Sequence, residues 1–247
     1  MIGLIQARMG STRLPGKVML ELVGKPVLWH IYNRLKNCNL LDLVVVSTGE
    51  YEKNREICEF ASLNNIPFYS GSETEIIDRI YQTAKKFHAN AIVRITADCP
   101  LIDPKIVDRL ILEFRNKNSE IDIVTNNKIQ SFPQGLDAEI YSFKILEKMW
   151  KEIKEPEFRE WFPLYIDKNP TLFRILNIKN SLDLSNFRWT IDYLEDYEFV
   201  KQVYEALYNK DRIFCMEEVL DLLKKRPELM KINKKYVGIR NVDAPKI

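Results

Sequence analysis

The first half of the chain alternates short apolar runs with amphipathic stretches, and this alternation limits the fold more than any other feature. The apolar runs have the length of strands: MIGLIQ, LDLVVVST, IPFYS, NAIVRITA and IDIVTN. Between them, apolar residues recur every three or four positions, which is the helical period: KPVLWHIYNRLKNC, YEKNREICEFASLNN, ETEIIDRIYQTAKKFH and PKIVDRLILEFRNK. Because alternating strands and helices form helix-covered parallel sheets, we predict an α/β fold with a doubly wound, mainly parallel sheet.

The pattern loosens after about residue 126. Three later segments have the composition of strands, QGLDAEIYS, LFRILNIKN and FRWTIDY, and helices are predicted at 143–153, 157–168, 194–208 and 215–224. We expect the strands at about 127–190 to form a small β-subdomain that projects from the main sheet. Residues 1–247 are then a single domain with this projecting part, and a chain of this length can bury a full core.

Composition and charge argue against several classes of protein. The net charge is +2 and basic and acidic residues are interleaved, so the basic stripe of a nucleic-acid binder is missing. No apolar run approaches the ~18 residues of a membrane span, and Arg8 and Arg13 interrupt any signal-peptide core. The four cysteines are scattered without a C-x-x-C pair, which fits a reducing compartment. We expect a cytoplasmic protein with no nucleic-acid or membrane partner.

The loop after the first predicted strand, QARMGSTRLPGK, combines positive charge with glycine. Ligands of parallel sheets bind beyond the carboxyl ends of the strands, where this loop lies. Backbone N–H groups near Gly10 and Gly16 can form an anion-binding concavity, and Arg8, Arg13 and Lys17 add donors suited to phosphate. The spacing is neither that of a Walker loop nor G-x-G-x-x-G. We interpret the loop as a polyphosphate clamp; a plain basic surface loop is the alternative.

Two aspartates are candidate metal ligands. Asp98 ends a predicted strand at the same sheet edge as the loop, and the next helix already has Asp103 as its cap. Asp192 ends the predicted strand FRWTIDY. Since Mg²⁺ is usually held by one or two carboxylates together with phosphate oxygens, we predict Asp98 and Asp192 as its ligands. The alternatives are a turn role for Asp98 and, for the nearby Asp196, a helix-dipole role.

Three motifs, in this order, resemble those of a known family. QARMGSTRLPGKVM is similar to the loop x-x-A-R-x-x-S-x-R-L-P-G-K of the cytidylyltransferases that include CMP-Kdo synthetase, acylneuraminate cytidylyltransferases and spore-coat polysaccharide homologues. TADCPLIDP resembles T-x-D-x-P-L-I-D-P, and RWTIDYLEDYEFV resembles R-x-T-x-D-x-x-x-D. The resemblance implies a GT-A-like nucleotide-diphospho-sugar transferase fold. It also implies Mg²⁺-dependent transfer of CMP from CTP to a sugar acid, phosphorylated or phosphonate acceptor, with release of pyrophosphate, in surface polysaccharide or glycoconjugate precursor synthesis.

The resemblance also implies roles for individual residues. Arg8 and Lys17 contact phosphates and Asp98 and Asp192 bind Mg²⁺, which makes these four the predicted catalytic set. The stretch SGSETEIIDRIYQTA adds Arg79, and Arg94 is added because it lies on the strand before Asp98. The predicted nucleotide-binding set is Gln6, Ala7, Arg8, Gly10, Ser11, Arg13, Lys17, Arg79 and Arg94. The predicted acceptor-binding set is Asn126, Gln134, Asp137 and Glu139. Members of the family are usually homodimers, so a homodimer is expected.

One position departs from the spore-coat type, and other functions have to be weighed. Those relatives show R-E-H-V-T, whereas this chain reads FREWFPLY, with Trp161 at the histidine position. If that histidine holds the acceptor, this protein handles a different acceptor or holds it differently.

A nucleotide-sugar glycosyltransferase of GT-A type is a rival, but the chain has no D-x-D motif. A non-catalytic nucleotide-binding protein would keep the basic loop and lose the carboxylates, and an interaction protein would carry the loop incidentally.

Overall fold

The computed structural model describes residues 1–117 and 120–239. The strands are β1 (Ile2–Ala7), β2 (Glu21–Leu22), β3 (Lys25–Pro26), β4 (Leu43–Thr48), β5 (Phe68–Ser70), β6 (Ala91–Thr96), β7 (Ile123–Thr125), β8 (Glu139–Ser142) and β9 (Ile175–Asn177). The helices are α1 (Val27–Lys36), α2 (Arg55–Leu63), α3 (Ile76–Lys86), α4 (Pro104–Asn116), α5 (Phe143–Glu152), α6 (Pro156–Glu160), α7 (Phe162–Lys168), α8 (Leu194–Leu207) and α9 (Met216–Lys225).

Seven of the strands form one sheet in the order β5-β4-β1-β6-β8-β7-β9. Strands β5, β4, β1 and β6 are parallel, β8 runs antiparallel to both of its neighbours, and β9 is parallel to β7. The short β2 and β3 form a separate antiparallel ribbon. The predicted α/β fold with a mainly parallel sheet is therefore confirmed.

Helices cover both faces of the sheet. Since successive side chains of a strand point to opposite sides, each strand contributes to the core on both faces. In β1, Ile5 and Ala7 belong to one apolar cluster and Ile2 and Leu4 to the other. The first cluster includes side chains from α1, α2, α4, α8 and α9. The second includes side chains from α3, α5 and α7. Burial on both faces explains why these strands read as continuous apolar runs.

The region at 127–190 differs from its prediction. The strands predicted for a small projecting sheet lie in the main sheet instead, with β8 between β6 and β7 and β9 at the edge. FRWTIDY is not a strand and contributes only a single bridge between Gln134 and Arg188. The helix predicted at 157–168 divides into α6 and α7 at Trp161, because Pro163 lacks an N–H and fits only the first turn of a helix.

The helices predicted at 143–153, 194–208 and 215–224 match α5, α8 and α9 to within a residue or two. No helix within the described ranges has the length and apolar character needed to cross a membrane.

Candidate functional site

A cavity of about 650 Å³ opens at the carboxyl ends of β1 and β6. Its lining comes from the loop after β1, the segment after β6, the end of β8, residues 127–137, helices α6 and α7, and residues 190–192. This volume lies within the range of about 300–1,000 Å³ that is usual for small-molecule sites. The position agrees with the rule that open α/β sheets bind ligands beyond their carboxyl strand ends.

The predicted site residues converge on this cavity, with two exceptions, Arg79 and Asn126. Those that line it are Gln6, Ala7, Arg8, Gly10, Ser11, Arg13, Lys17, Arg94, Asp98, Gln134, Asp137, Glu139 and Asp192. The basic loop, both candidate metal ligands and most of the predicted acceptor set therefore share one space.

The loop after β1 folds back on itself and so carries Lys17 to the cavity. The backbone N–H groups of Ser11 and Gly16 both donate to the carbonyl of Met9, at 3.0 and 3.2 Å. Gly16 closes this turn with φ of 68°, a left-handed conformation that glycine adopts without a steric cost. The N–H of Met9 donates to Oδ1 of Asn54 at 2.8 Å, which fixes the base of the turn.

Asp192 does not lie at the end of a strand. Backbone hydrogen bonds of the residues before it hold it at the cavity. The N–H of Ile191 donates to the carbonyl of Asp98 at 2.8 Å, and the N–H of Trp189 donates to the carbonyl of Gln134 at 2.7 Å. Gly135 permits this approach, since a Cβ at that position would lie 2.6 Å from the backbone nitrogen of Thr190. The two candidate metal ligands are thereby held side by side.

Lys17 lies between the two aspartates. Its Nζ donates to Oδ2 of Asp98 at 2.9 Å, to Oδ1 of Asp192 at 2.8 Å and to the carbonyl of Ile191 at 2.7 Å. Burial disfavours the ammonium, but the two carboxylates outweigh burial and raise the pKa of Lys17. Both carboxylates are therefore close enough for one cation to contact them together.

The charge on Asp192 is balanced by further cations. Nη2 of Arg13 donates to Oδ1 of Asp192 at 2.9 Å, and Nη2 of Arg188 donates to Oδ2 at 2.9 Å. Burial opposes ionisation, but Lys17, Arg13 and Arg188 outweigh it and lower the pKa of Asp192 to about 2. Asp192 is thus an anion across the physiological pH range.

Arg8 is the cation of the loop that remains unpaired. It lines the cavity and forms no hydrogen bond or ion pair with any residue in the two described ranges. A half-buried guanidinium with unused donors suits a phosphate group.

The donor set fits a magnesium ion that arrives with phosphate groups. Across the described residues, no group of three His, Cys, Asp or Glu side chains is placed to hold a metal. One or two carboxylates are the usual protein contribution to a Mg²⁺ site completed by substrate phosphates, and Asp98 and Asp192 lie close enough for both to contact Lys17.

Arg94 and Glu139 form a largely buried ion pair on the cavity lining. Nε of Arg94 donates to Oε1 of Gln6 at 2.8 Å, Nη1 donates to Glu139, and Nδ2 of Asn127 donates to Glu139 at 3.2 Å. Burial disfavours both charges, but their attraction outweighs it, so the pKa of Arg94 is raised and that of Glu139 is lowered. Glu139 therefore positions Arg94 beside Gln6.

The two exceptions have different environments. The amide of Asn126 is bonded to the backbone at Leu136 and Ala138, at 2.8 and 2.9 Å, so it braces a loop, and its neighbour Asn127 lines the cavity instead. Arg79 is fully buried; its Nη1 donates to the carbonyl of Ser72 at 2.7 Å, while Nε and Nη2 have no partner among the described residues. Burial, together with Arg8 and Arg94, lowers the pKa of Arg79 to about 10 despite the opposing effect of Glu73.

One wall of the cavity was missing from the predicted residue sets. It consists of Asn127, Lys128, Gln130, Glu160, Trp161, Pro163, Leu164 and Asp167. An ion pair between Lys128 and Asp167 joins its two parts. The one sequence signal for this wall was the departure at Trp161.

Known proteins match this chain over nearly its whole length. The sequence pattern of the cytidylyltransferase family matches residues 2–236. An uncharacterized protein of Methanocaldococcus jannaschii is 34% identical over 94% of this chain and 93% of its own length. The spore coat polysaccharide biosynthesis protein SpsF of Bacillus subtilis is 28% identical over 91% of this chain and 94% of its own length. The solved structure of a cytidylyltransferase from Leptospira borgpetersenii superposes with a TM-score of 0.88 at 35% identity, covering 93% of this chain and 96% of that one.

Proposed function

This chain belongs to the cytidylyltransferase family, and on that premise we propose that it transfers CMP from CTP to a sugar acid, phosphorylated or phosphonate acceptor and releases pyrophosphate. It is a nucleotidyltransferase, and the family supports CMP transfer in polysaccharide precursor synthesis. The observation that carries the proposal is the convergence of Asp98 and Asp192 on the single ammonium of Lys17, in the cavity that Arg8 lines without a partner among the described residues.

The cations of the loop account for triphosphate binding. Arg8, Arg13 and Lys17 line the same cavity, and a triphosphate brings several negative charges into it. Transfer of CMP places additional charge on the departing pyrophosphate, and fixed positive groups stabilise this charge without reorganising during the reaction. We assign this stabilisation to Arg8 and Lys17. Asp98 and Asp192 are the residues that would hold Mg²⁺, which supplies charge neutralisation at the reacting phosphate when it is bound.

The acceptor is assigned to the part of the cavity near Gln134, Asp137 and the wall that includes Trp161. These residues line the same space as the loop, so an acceptor there is brought near the phosphates without a separate channel. Positioning alone supplies a large part of catalysis in such transfers, because two reactants are held in one geometry. The reaction needs no covalent enzyme intermediate, since the acceptor oxygen attacks the α-phosphate directly.

Thermal unfolding with CTP, UTP, ATP and GTP, each with and without Mg²⁺, tests the proposal. A ligand at 100 times its Kd adds about 2.7 kcal/mol to the free energy of unfolding. We expect the largest shift with CTP and Mg²⁺, and loss of most of it in Arg8→Ala. The matched control is Arg115→Ala, which removes an exposed arginine of α4 that does not line the cavity. A larger shift with another nucleotide overturns the base assignment, and no shift with any nucleotide overturns the proposal.

A further inference from the structure

The two oxygens of the Asp192 carboxylate have different surroundings. Oδ1 accepts from Lys17 and Arg13, which both line the cavity, at 2.8 and 2.9 Å. Oδ2 accepts from Nη2 of Arg188 at 2.9 Å, and Arg188 does not line the cavity. One oxygen is thus turned toward the site and the other toward the protein interior.

Arg188 is itself held by a buried partner. Its side chain and that of Asp196 are both fully buried, and they form a two-point contact: Nε to Oδ1 at 2.8 Å and Nη2 to Oδ2 at 2.9 Å. Oδ2 of Asp196 also accepts from the backbone N–H groups of Asp192 and Tyr193, each at 3.1 Å. Asp196 therefore fixes both the guanidinium that binds Asp192 and the backbone that carries Asp192.

Residues 233–239 pack against Arg188, Asp196 and their neighbours. Nδ2 of Asn233, which is buried, donates to the carbonyl of Arg188 and to Oδ1 of Asp196, both at 2.9 Å. The ring of Tyr236 stacks on that of Tyr193 with centroids 3.8 Å apart and an interplanar angle of 1°. The carbonyl of Ile239 accepts from Nη1 of Arg188 at 2.8 Å and from Nε2 of the cavity residue Gln134 at 3.1 Å.

We propose that Arg188 is a positioning residue for Asp192, and that Asp196 and the segment 233–239 hold it so that Asp192 presents Oδ1 alone as a metal ligand. A buried ion pair usually contributes little net stability compared with apolar residues of the same size, so its value here lies in orientation. Partners that orient a ligand carboxylate from behind typically change metal affinity 10–100-fold when removed. The inference rests on the proposed function, because it assigns a geometry to that site's own ligand.

The test compares Asn233→Ala with wild-type protein by calorimetric titration of Mg²⁺ into protein saturated with CTP. Asn233→Ala removes the amide that bridges the backbone carbonyl of Arg188 and the carboxylate of Asp196 but leaves every charge of the cluster in place. We expect Mg²⁺ to bind at least tenfold more weakly, while CTP binding measured in EDTA changes less than twofold. The control is Lys224→Ala, which removes an exposed ion pair with Asp221 on α9, outside the segment 233–239, and should change neither value.

The outcomes separate the two proposals. Absence of Mg²⁺-dependent CTP binding in the wild type overturns the proposed function, and the positioning role with it. Wild-type binding with an unchanged Mg²⁺ affinity in Asn233→Ala overturns the positioning role alone, as does an equal loss of Mg²⁺ and metal-free CTP affinity. Tyr236→Ala, at a half-buried position, serves if Asn233→Ala does not fold, and it should weaken Mg²⁺ binding in the same direction. Arg188→Lys keeps the positive charge without the forked geometry, so we expect it to bind Mg²⁺ more weakly than the wild type does, and wild-type affinity in this variant would overturn the positioning role.

Discussion

Replacing Lys17 by methionine should create a divalent-cation site that does not need nucleotide. The ammonium of Lys17 occupies the point at which the carboxylates of Asp98 and Asp192 converge, so a metal ion must displace it. Methionine keeps most of the apolar stem of the side chain but ends one atom short of the ammonium position, which leaves this point without a cation. We therefore expect Mg²⁺ to stabilise Lys17→Met in the absence of nucleotide, and to have almost no effect on the wild type.

The size of the effect follows from charge and linkage. Removing one partner of a fully buried ion pair costs about 3–5 kcal/mol, and the cost here is smaller because this cluster is only part-buried and Asp192 keeps its contacts with Arg13 and Arg188. If the exposed carboxylate pair binds Mg²⁺ with a Kd of about 1 mM, then 10 mM Mg²⁺ returns about 1.4 kcal/mol. For a chain of this size that corresponds to about 3–6 °C in the melting temperature.

Thermal unfolding in 0–10 mM MgCl₂, at ionic strength held constant with NaCl, measures this difference. Lys17→Arg is the matched control, because it retains a cation between the carboxylates and should respond as weakly as the wild type. Equal Mg²⁺ responses in wild type and Lys17→Met would refute the reasoning, since they would show that the ammonium does not compete with a metal for these carboxylates.

Three further predictions concern other parts of the site. Arg79→Met should raise the free energy of unfolding by about 1 kcal/mol in urea denaturation, because two of its buried nitrogens lack partners among residues 1–117 and 120–239. Trp161→His should leave CTP affinity within about twofold and change which acceptors in a panel of sugar acids and sugar phosphates release pyrophosphate. Because neighbouring cations, despite burial, lower the pKa of Asp192 from 3.8 to about 2, its ionised form stabilises the fold above about pH 4. As the pH falls from about 4 to about 2, the free energy of unfolding of the wild type should fall by up to about 2 kcal/mol more than that of Asp192→Asn, as measured by urea denaturation.

The parallel part of the sheet was predictable because its strands are buried on both faces. Val44, Val45 and Val46 of β4 pack alternately into the two apolar clusters, and such runs are unambiguous in sequence. The place of β8 was not predictable. It has four residues, and its antiparallel pairing with β6 and β7 depends on long-range hydrogen bonds that local composition does not encode.

The segment FRWTIDY was predicted as a strand but is not one, and its burial explains the difference. Trp189 and Ile191 are buried in the main core, which explains the apolar alternation that resembles a strand. Their backbone is used for single contacts with Gln134 and Asp98 rather than for a ladder. Periodicity reports burial of alternate side chains, and it does not report whether a neighbouring strand is present.

The side of the cavity formed by the loop after β1 and the two aspartates was predictable, and the opposite wall was not. Lys17 and Asp98 are 81 residues apart in the chain, yet strand-end geometry and chemistry both placed them together. The wall at α6 and α7 consists of ordinary residues such as Pro163 and Leu164, whose part in the cavity depends on how two short helices pack. Several assignments remain predictions because no observation tests them: the homodimer, the cytoplasmic location, the role of Mg²⁺ and the identity of the acceptor.

The position of Lys17 also bears on the order in which ligands bind. Its ammonium offsets part of the charge of the two carboxylates that we propose as Mg²⁺ ligands. Phosphate groups offer the ammonium an alternative partner, so we expect a bound triphosphate to release Asp98 and Asp192 for a cation. Thermodynamic linkage then requires the converse: a cation on the carboxylates frees Lys17 for phosphate and strengthens nucleotide binding by the same factor. We therefore predict that this one side chain couples the two ligands and favours binding of the metal–nucleotide complex over binding of either component alone.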